Sequence, residues 1–167
     1  PGGSRPRWRI SVAARPTPSP AWEAEPVAVV VGYDESPGAE AALTTAINVA
    51  ARFDEPLILV YGAAPPGNVG EELKAHRDAL REIGRTALSH AVERAHAAGV
   101  DTQIELVDAK PAQALIQVAD AHDATVIVVG TAGESPLKGA MLGSTPHKLL
   151  HLSTRPVLCV PVGDPVP

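Results

Sequence analysis

Gly130, Gly133, Gly139 and Gly143 punctuate the run GTAGESPLKGAMLGST, residues 130–145, directly after the apolar stretch ATVIVVG. Glycine lets backbone N–H groups approach a ligand with no Cβ in the way, and residues of G-T-A-G in positive φ would turn those groups towards an anion. The spacing is not that of a P-loop, because Lys138 precedes Gly139 and no Lys follows Gly143; nor is it G-x-G-x-x-G. The run divides instead into two half-sites. The first is the turn Gly130, Thr131, Ala132, Gly133. The second is a helix start at G-S-T, where Ser144 or Thr145 caps and Pro146 suits the first turn. A helix start offers free N–H groups and a positive dipole end, so the two halves could close on a di- or triphosphate.

Asp34, in VGYDES near the other end of the chain, is the second candidate. It follows an apolar run directly, where an Asp either caps the next turn or faces a ligand beyond the strand. Other chemistry finds little support. The six histidines lack metal spacing. His147 and His151 stand four apart with no third ligand near in sequence. His76, His90, His96 and His122 fall at solvated helical positions. There is no G-x-S-x-G, and Cys159 sits mid-strand in VLCVPV without an obvious base. No catalytic residue is therefore assigned.

The elements that must position these groups alternate along the chain. PVAVVVGYD is a continuous apolar run, the pattern of a strand buried on both faces, and EPLILVYGA, ATVIVVG and RPVLCVPV read as the second, fourth and fifth strands. VDTQIELVD alternates in part, which leaves that strand less covered. Between them lie helical spacings. Ser36 and Pro37 open the first, with Ala39, Ala42, Leu43, Ala46, Ile47 and Ala50 on one face. The second spans about residues 70–98, with Leu73, Leu80, Ile83 and Ala87 inward and Gly99 ending it. KPAQALIQVADAHD and STPHKLLHL are the third and fourth. The order predicts an α/β fold, a doubly wound, Rossmann-like, five-stranded parallel sheet with helices on both faces, for which the strand order expected is 3-2-1-4-5 without following from the alternation itself. Ligands of such sheets bind beyond the carboxyl ends of the strands at the switch point. If the first and fourth strands are neighbours there, Asp34 faces Gly130 across one crevice.

Composition narrows the partners. Residues 1–26 hold six of the seventeen prolines and four arginines against two glutamates, a balance of +2; the formal net charge of −5 leaves −7 for the rest. An acidic body argues against nucleic acid, and two Trp, two Tyr and one Phe make no stacking platform. Residues 1–25 read as a disordered Pro/Arg-rich leader, 26–163 as one domain and 164–167 as a tail. One cysteine suits a reducing compartment, and no run is long enough to span a membrane, so a cytoplasmic location is expected.

Three elements, in the right order over about residues 26–162, resemble the universal stress protein family: Gly130-x2-Gly133-x9-Gly143-[ST], VGYDES (similar to the family's V-G-x-D-x-S) and the ending RPVLCVP. The resemblance implies an ATP-binding, stress-response regulatory protein, with Mg²⁺ where a triphosphate is held. It implies Asp34 at the ribose or base, the chain near Gly62 at the adenine, Gly130 and Gly133 at the ribose and phosphates with Thr131 between them, and Gly143, Ser144 and Thr145 at the phosphates. It also implies a homodimer through the last strand, residues 156–161; an apolar edge strand needs such a cover on physical grounds too. Cyclic AMP binding, slow ATP hydrolysis without a dedicated base, and a non-binding dimer scaffold are the alternatives. Pro146 departs from the family's usual helix start, because it removes an N–H from the phosphate end.

Overall fold

The computed structural model describes residues 27–63, 71–131 and 142–162. Residues 1–25, read as a leader, lie outside them, as do Gly133, Lys138 and the 164–167 tail. So do the side chains of Leu73, Leu80 and Ile83.

β1 (Val29–Gly32), β2 (Leu57–Gly62), β3 (Thr102–Val107), β4 (Val126–Gly130) and β5 (Val157–Val160) form one parallel sheet in the order β3-β2-β1-β4-β5. Four helices supply the crossovers: α1 (Pro37–Phe53), α2 (Glu71–Ala97), α3 (Pro111–Ala121) and α4 (Ser144–Leu152). The fold class is the one expected from the alternation of apolar runs and helical spacings, and the strand order is the expected 3-2-1-4-5.

The central strands are apolar throughout because each face meets a helix layer. Val29, Val31, Leu57, Leu59 and Val128 pack with α1 and α2, against Ala42, Leu43, Ala46, Leu88 and Ala91. Val30, Ile58, Val60, Ile127 and Val129 point the other way, towards Ala114, Leu115, Val118 and Leu149 of α3 and α4. Fully burying such a side chain is worth roughly 1.5–3 kcal/mol relative to leaving it exposed, so the two faces together hold the sheet. Alanine on the inner face of α1 brings that helix close to the strands, and the core closes almost without aromatic rings. Tyr33, buried on the α1 side, is the exception.

The edges differ from the centre. β3 has no fully buried residue, with Gln103 and Ile104 exposed and Ile104 at 42%, which agrees with its mixed sequence. β5 is the other edge, and Leu158 is 38% exposed on it. Helix ends follow the expected chemistry. Ser36 caps α1, its hydroxyl accepting the Ala39 N–H at 3.2 Å, and Pro37 takes the first turn. Gly99, at φ +74, closes α2 as the Val100 N–H returns to the Ala95 carbonyl.

Candidate functional site

The chain leaves β1 for β2 on one side and returns to β4 on the other, so the carboxyl ends of β1 and β4 open a crevice at the switch point. Its volume is about 380 Å³. Asp34, Gly62, Gly130, Gly143, Ser144 and Thr145 all line it, brought together from four separate parts of the sequence. Thr131 does not line it but anchors it. Its N–H donates to the Val160 carbonyl at 2.9 Å, and its own carbonyl accepts the Gly143 N–H at 2.8 Å. The exit of β4 is thereby tied to the start of α4.

Two expectations about the glycine run need correction. The cap of α4 is Gly143, not Ser144 or Thr145, and no side chain bonds to the helix start. The physical reason is the Thr131 tie. It fixes Gly143 at φ −58 and ψ 161, so the Gly143 carbonyl receives the first intrahelical bond, from His147 N–H at 3.1 Å. Ser144 and Thr145 then occupy the first helical turn, with hydroxyls not needed for capping. Of the turn expected to carry positive φ, Gly130 and Thr131 lack it, while Ala132 and Gly133 lie outside the described residues; among the described glycines only Gly99 has it.

Gly130 is glycine for another reason. A Cβ there would lie 2.4 Å from the carbonyl carbon and oxygen of Gly38 and 2.6 Å from its Cα. α1 starts directly against the end of β4. Gly62 plays the same part for α3, since its Cβ would sit 2.8 Å from the Ala114 Cβ and 2.9 Å from the Pro111 Cα. Both glycines form crevice walls because two helix starts press against the strand ends.

Asp34 combines its two readings. Its Oδ1 accepts the Ser36 N–H at 3.1 Å, closing the turn before α1, while the residue remains exposed at the crevice. Glu35 follows at φ 62 and also lines the crevice, so two carboxylates stand at this mouth. No Lys, Arg or His is among the described lining residues. Glu35 Oε1 lies 3.8 Å from Nδ1 of the exposed His90 on α2.

Sequence reasoning missed Glu35, Tyr61 and Pro111 as lining residues. Tyr61 and Pro111 had a usable signal, since each adjoins a strand end or a helix start. It also missed the support behind β1. The Tyr33 hydroxyl donates to Glu40 Oε1, and Arg94 of α2 donates to Glu40 Oε2 and, at 2.9 Å, to the Thr44 hydroxyl. Burial, then the bond to Glu40, pushes the Tyr33 phenol well above its usual range.

The described crevice residues include no nucleophile paired with a base, and no three His, Cys, Asp or Glu side chains gather as a metal site among the described residues. His147 and His151 do approach, with ring centroids 4.7 Å apart on α4. Cys159 is half-buried on β5, where burial raises its thiol. No described helix is long and apolar enough to cross a membrane.

Comparison with known proteins places this chain among relatives. The model of the universal stress protein family matches residues 28–161. Universal stress protein Rv1636 of Mycobacterium tuberculosis is 32% identical over 138 residues, covering 79% of this chain and 94% of that protein. A universal stress protein crystallised in complex with cAMP is 29% identical, with a TM-score of 0.67 over 84% of this chain and all of that one. A protein of the same family from Archaeoglobus fulgidus, in complex with dAMP, shares the fold at 23% identity and a TM-score of 0.62, covering 80% of this chain and 97% of that one.

Proposed function

This chain belongs to the universal stress protein family, and from that premise we propose that its crevice binds an adenine nucleotide and that the protein acts as a ligand-dependent, dimeric stress-response module in the cytoplasm. The observation that carries the reading is the convergence of Asp34 with the start of α4 in one crevice at the switch point. The nucleoside lies towards Asp34, whose carboxylate accepts a ribose hydroxyl or a base N–H. Backbone near Gly62 meets the adenine. Gly130, with Gly133 beyond it, borders the ribose and phosphates, and Ser144 and Thr145 give backbone N–H groups and hydroxyls to the phosphate end. Thr131 positions Gly143 and, through it, that helix start.

ATP is the occupant that the resemblance to the family's glycine signature implies; cAMP is the second reading, favoured by the cAMP complex of a 29% identical relative. A Mg²⁺ ion would arrive with a triphosphate and find the Asp34 and Glu35 carboxylates at the mouth. Turnover is not the function proposed, although slow ATP hydrolysis would be read as phosphate release above the buffer rate. The dimer contact proposed is the open edge of β5, with Leu158 exposed beside it.

The test is extraction of purified protein for co-bound nucleotide, followed by calorimetric titration with ATP, ADP, AMP and cAMP. Asp34→Asn retains an oxygen for the Ser36 N–H while removing the charge, so the fold should hold. Nucleotide affinity should fall about tenfold, the scale of one charge-assisted hydrogen bond. Neither co-bound nucleotide nor titration heat with any of the four would end the binding reading.

A further inference from the structure

We propose that the open edge of β3 is a docking surface for a basic, extended segment, and that its occupant is this chain's own residues 7–12, RWRISV, added to the sheet as a further strand. The segment lies outside the described residues; the edge that receives it lies within them.

Among the described strands β3 pairs with β2 alone. The Asp101 carbonyl accepts the Leu57 N–H at 2.8 Å and the Val107 carbonyl accepts the Ala63 N–H at 3.1 Å, so the odd-numbered residues turn their backbone groups to β2. Those of Thr102, Ile104 and Leu106 therefore point to the open edge, ready to pair with an added strand. The two side-chain faces of β3 differ in chemistry. Ile104 and Leu106 stand in register with Leu59 and Tyr61 on the α1 and α2 side, and Ile104 is exposed there. Gln103 and Glu105 stand with Ile58 and Val60 on the opposite side, where Glu105 Oε1 lies 3.7 Å from His122 Nε2. Asp101 and Asp108, both exposed, bracket the strand. One face is thus apolar and the other acidic.

Residues 7–12 carry the complementary pattern. They fall in the proline-free window between Pro6 and Pro16, with Trp8, Ile10 and Val12 alternating with Arg7, Arg9 and Ser11. Docked on β3, the apolar set lies beside Ile104 and Leu106, and the arginines lie beside Glu105; cross-strand pairs of both kinds stabilise a sheet. Charge selects this edge over the other. β5 has no carboxylate between Arg155 and Val162, and Arg155 is held by Asp120 and Asp123. A second copy of β3 is the wrong occupant, because it sets Asp101, Glu105 and Asp108 against the same three carboxylates. The reach is ample. A strand beyond β3 stands three interstrand spacings from β1, about 15 Å, whereas residues 13–26, rich in proline, extend to about 40 Å. β1 and β3 enter the sheet at the same end, so antiparallel addition returns the chain to the start of β1 with slack to spare.

Trp8 and Trp22 are the two tryptophans of the chain, so the full chain carrying Trp22→Phe reports on Trp8 alone. With no nucleotide added, Trp8 emission should be blue-shifted and shielded from acrylamide. The Ile104 and Leu106 amides should exchange about tenfold or more slowly than in the same chain with Ile10→Asp, because docking must open before they can exchange. Ile10→Asp lies outside the sheet and its helices, so its effect is not that of an unfolded β3. Glu105→Arg should also expose Trp8, and adding Arg7→Glu with Arg9→Glu should restore the shielding, which loss of a merely structural Glu105 would not allow. Trp8 as open to acrylamide in the parent as in Ile10→Asp overturns the proposal. So does shielding that Glu105→Arg leaves in place, or that the charge exchange fails to restore. Shielding that disappears on dilution places the segment on another copy and overturns it as well.

Discussion

Replacing Gly130 with alanine should damage the fold far more than a change of one methyl group suggests. The new Cβ would stand 2.4 Å from the Gly38 carbonyl carbon and oxygen. Carbon atoms rest at about 3.5–4.0 Å, so the gap is short by about 1 Å. Both partners are backbone, and no rotamer change relieves the contact. Either the end of β4 or the start of α1 must move. α1 is held along its length by Ala39, Ala42, Leu43, Ala46, Ile47 and Ala50, so a displacement at its first turn disturbs a packed face. Overpacking of a core costs about 1–3 kcal/mol, and a backbone-to-backbone clash belongs at the upper end, about 3 kcal/mol. At about 2–4 °C per kcal/mol for a chain of this size, Tm should fall by about 6–12 °C. Urea unfolding followed by far-UV circular dichroism should give a lower midpoint with unchanged slope. Gly143→Ala is the reference: its Cβ would meet the Thr131 carbonyl oxygen at 3.2 Å and Pro146 at 3.6 Å, and φ −58 suits any residue. It should stay within about 1 kcal/mol of wild type. A Gly130→Ala protein as stable as wild type would refute the packing explanation.

Two further outcomes concern the supports of the site. Ser36→Ala removes the α1 cap and leaves the Ala39 N–H without its partner, so stability should fall by about 0.5–2 kcal/mol in the same urea assay. For Tyr33, the folded phenol holds its proton to higher pH than the unfolded one, whose ordinary value is 10.0. Its contribution is therefore complete below about pH 10 and is lost as pH rises beyond it, because the unfolded chain deprotonates first. Tyr33→Phe should flatten that alkaline decline while costing about 1 kcal/mol at neutral pH, both read from urea midpoints across a pH series.

Much of the fold was legible because its signals are local. A strand buried on both faces must be apolar throughout, and β1, β2 and β4 read that way. Ser36 with Pro37 marks a helix start without reference to anything distant. The position of Asp34 in the crevice followed from topology alone, since any residue just past β1 must lie there. What sequence did not show depends on the approach of distant elements. The need for Gly130 comes from Gly38, more than ninety residues earlier in the chain. The cap at Gly143 comes from the carbonyl of Thr131, which no propensity encodes. The link from Arg94 to Glu40 and Thr44 spans α2 and α1 and leaves no mark in spacing.

The packing of Gly38 against Gly130 bears on how substitutions in such chains are to be interpreted. Two demands fall on one letter of the sequence: the helix requires glycine at Gly130 whether or not a ligand is ever bound. A descendant that had lost its ligand would be under pressure to keep Gly130 and Gly62 all the same. Their presence is therefore poor testimony to binding, and their loss would look like loss of binding when it is loss of the protein. Gly143 is freer, because a Cβ there would meet the Thr131 carbonyl oxygen at 3.2 Å, a contact that a shift of a few tenths of an ångström relieves. Variation there, and at the donors beside it, is where a change of ligand could be recorded without erasing the fold.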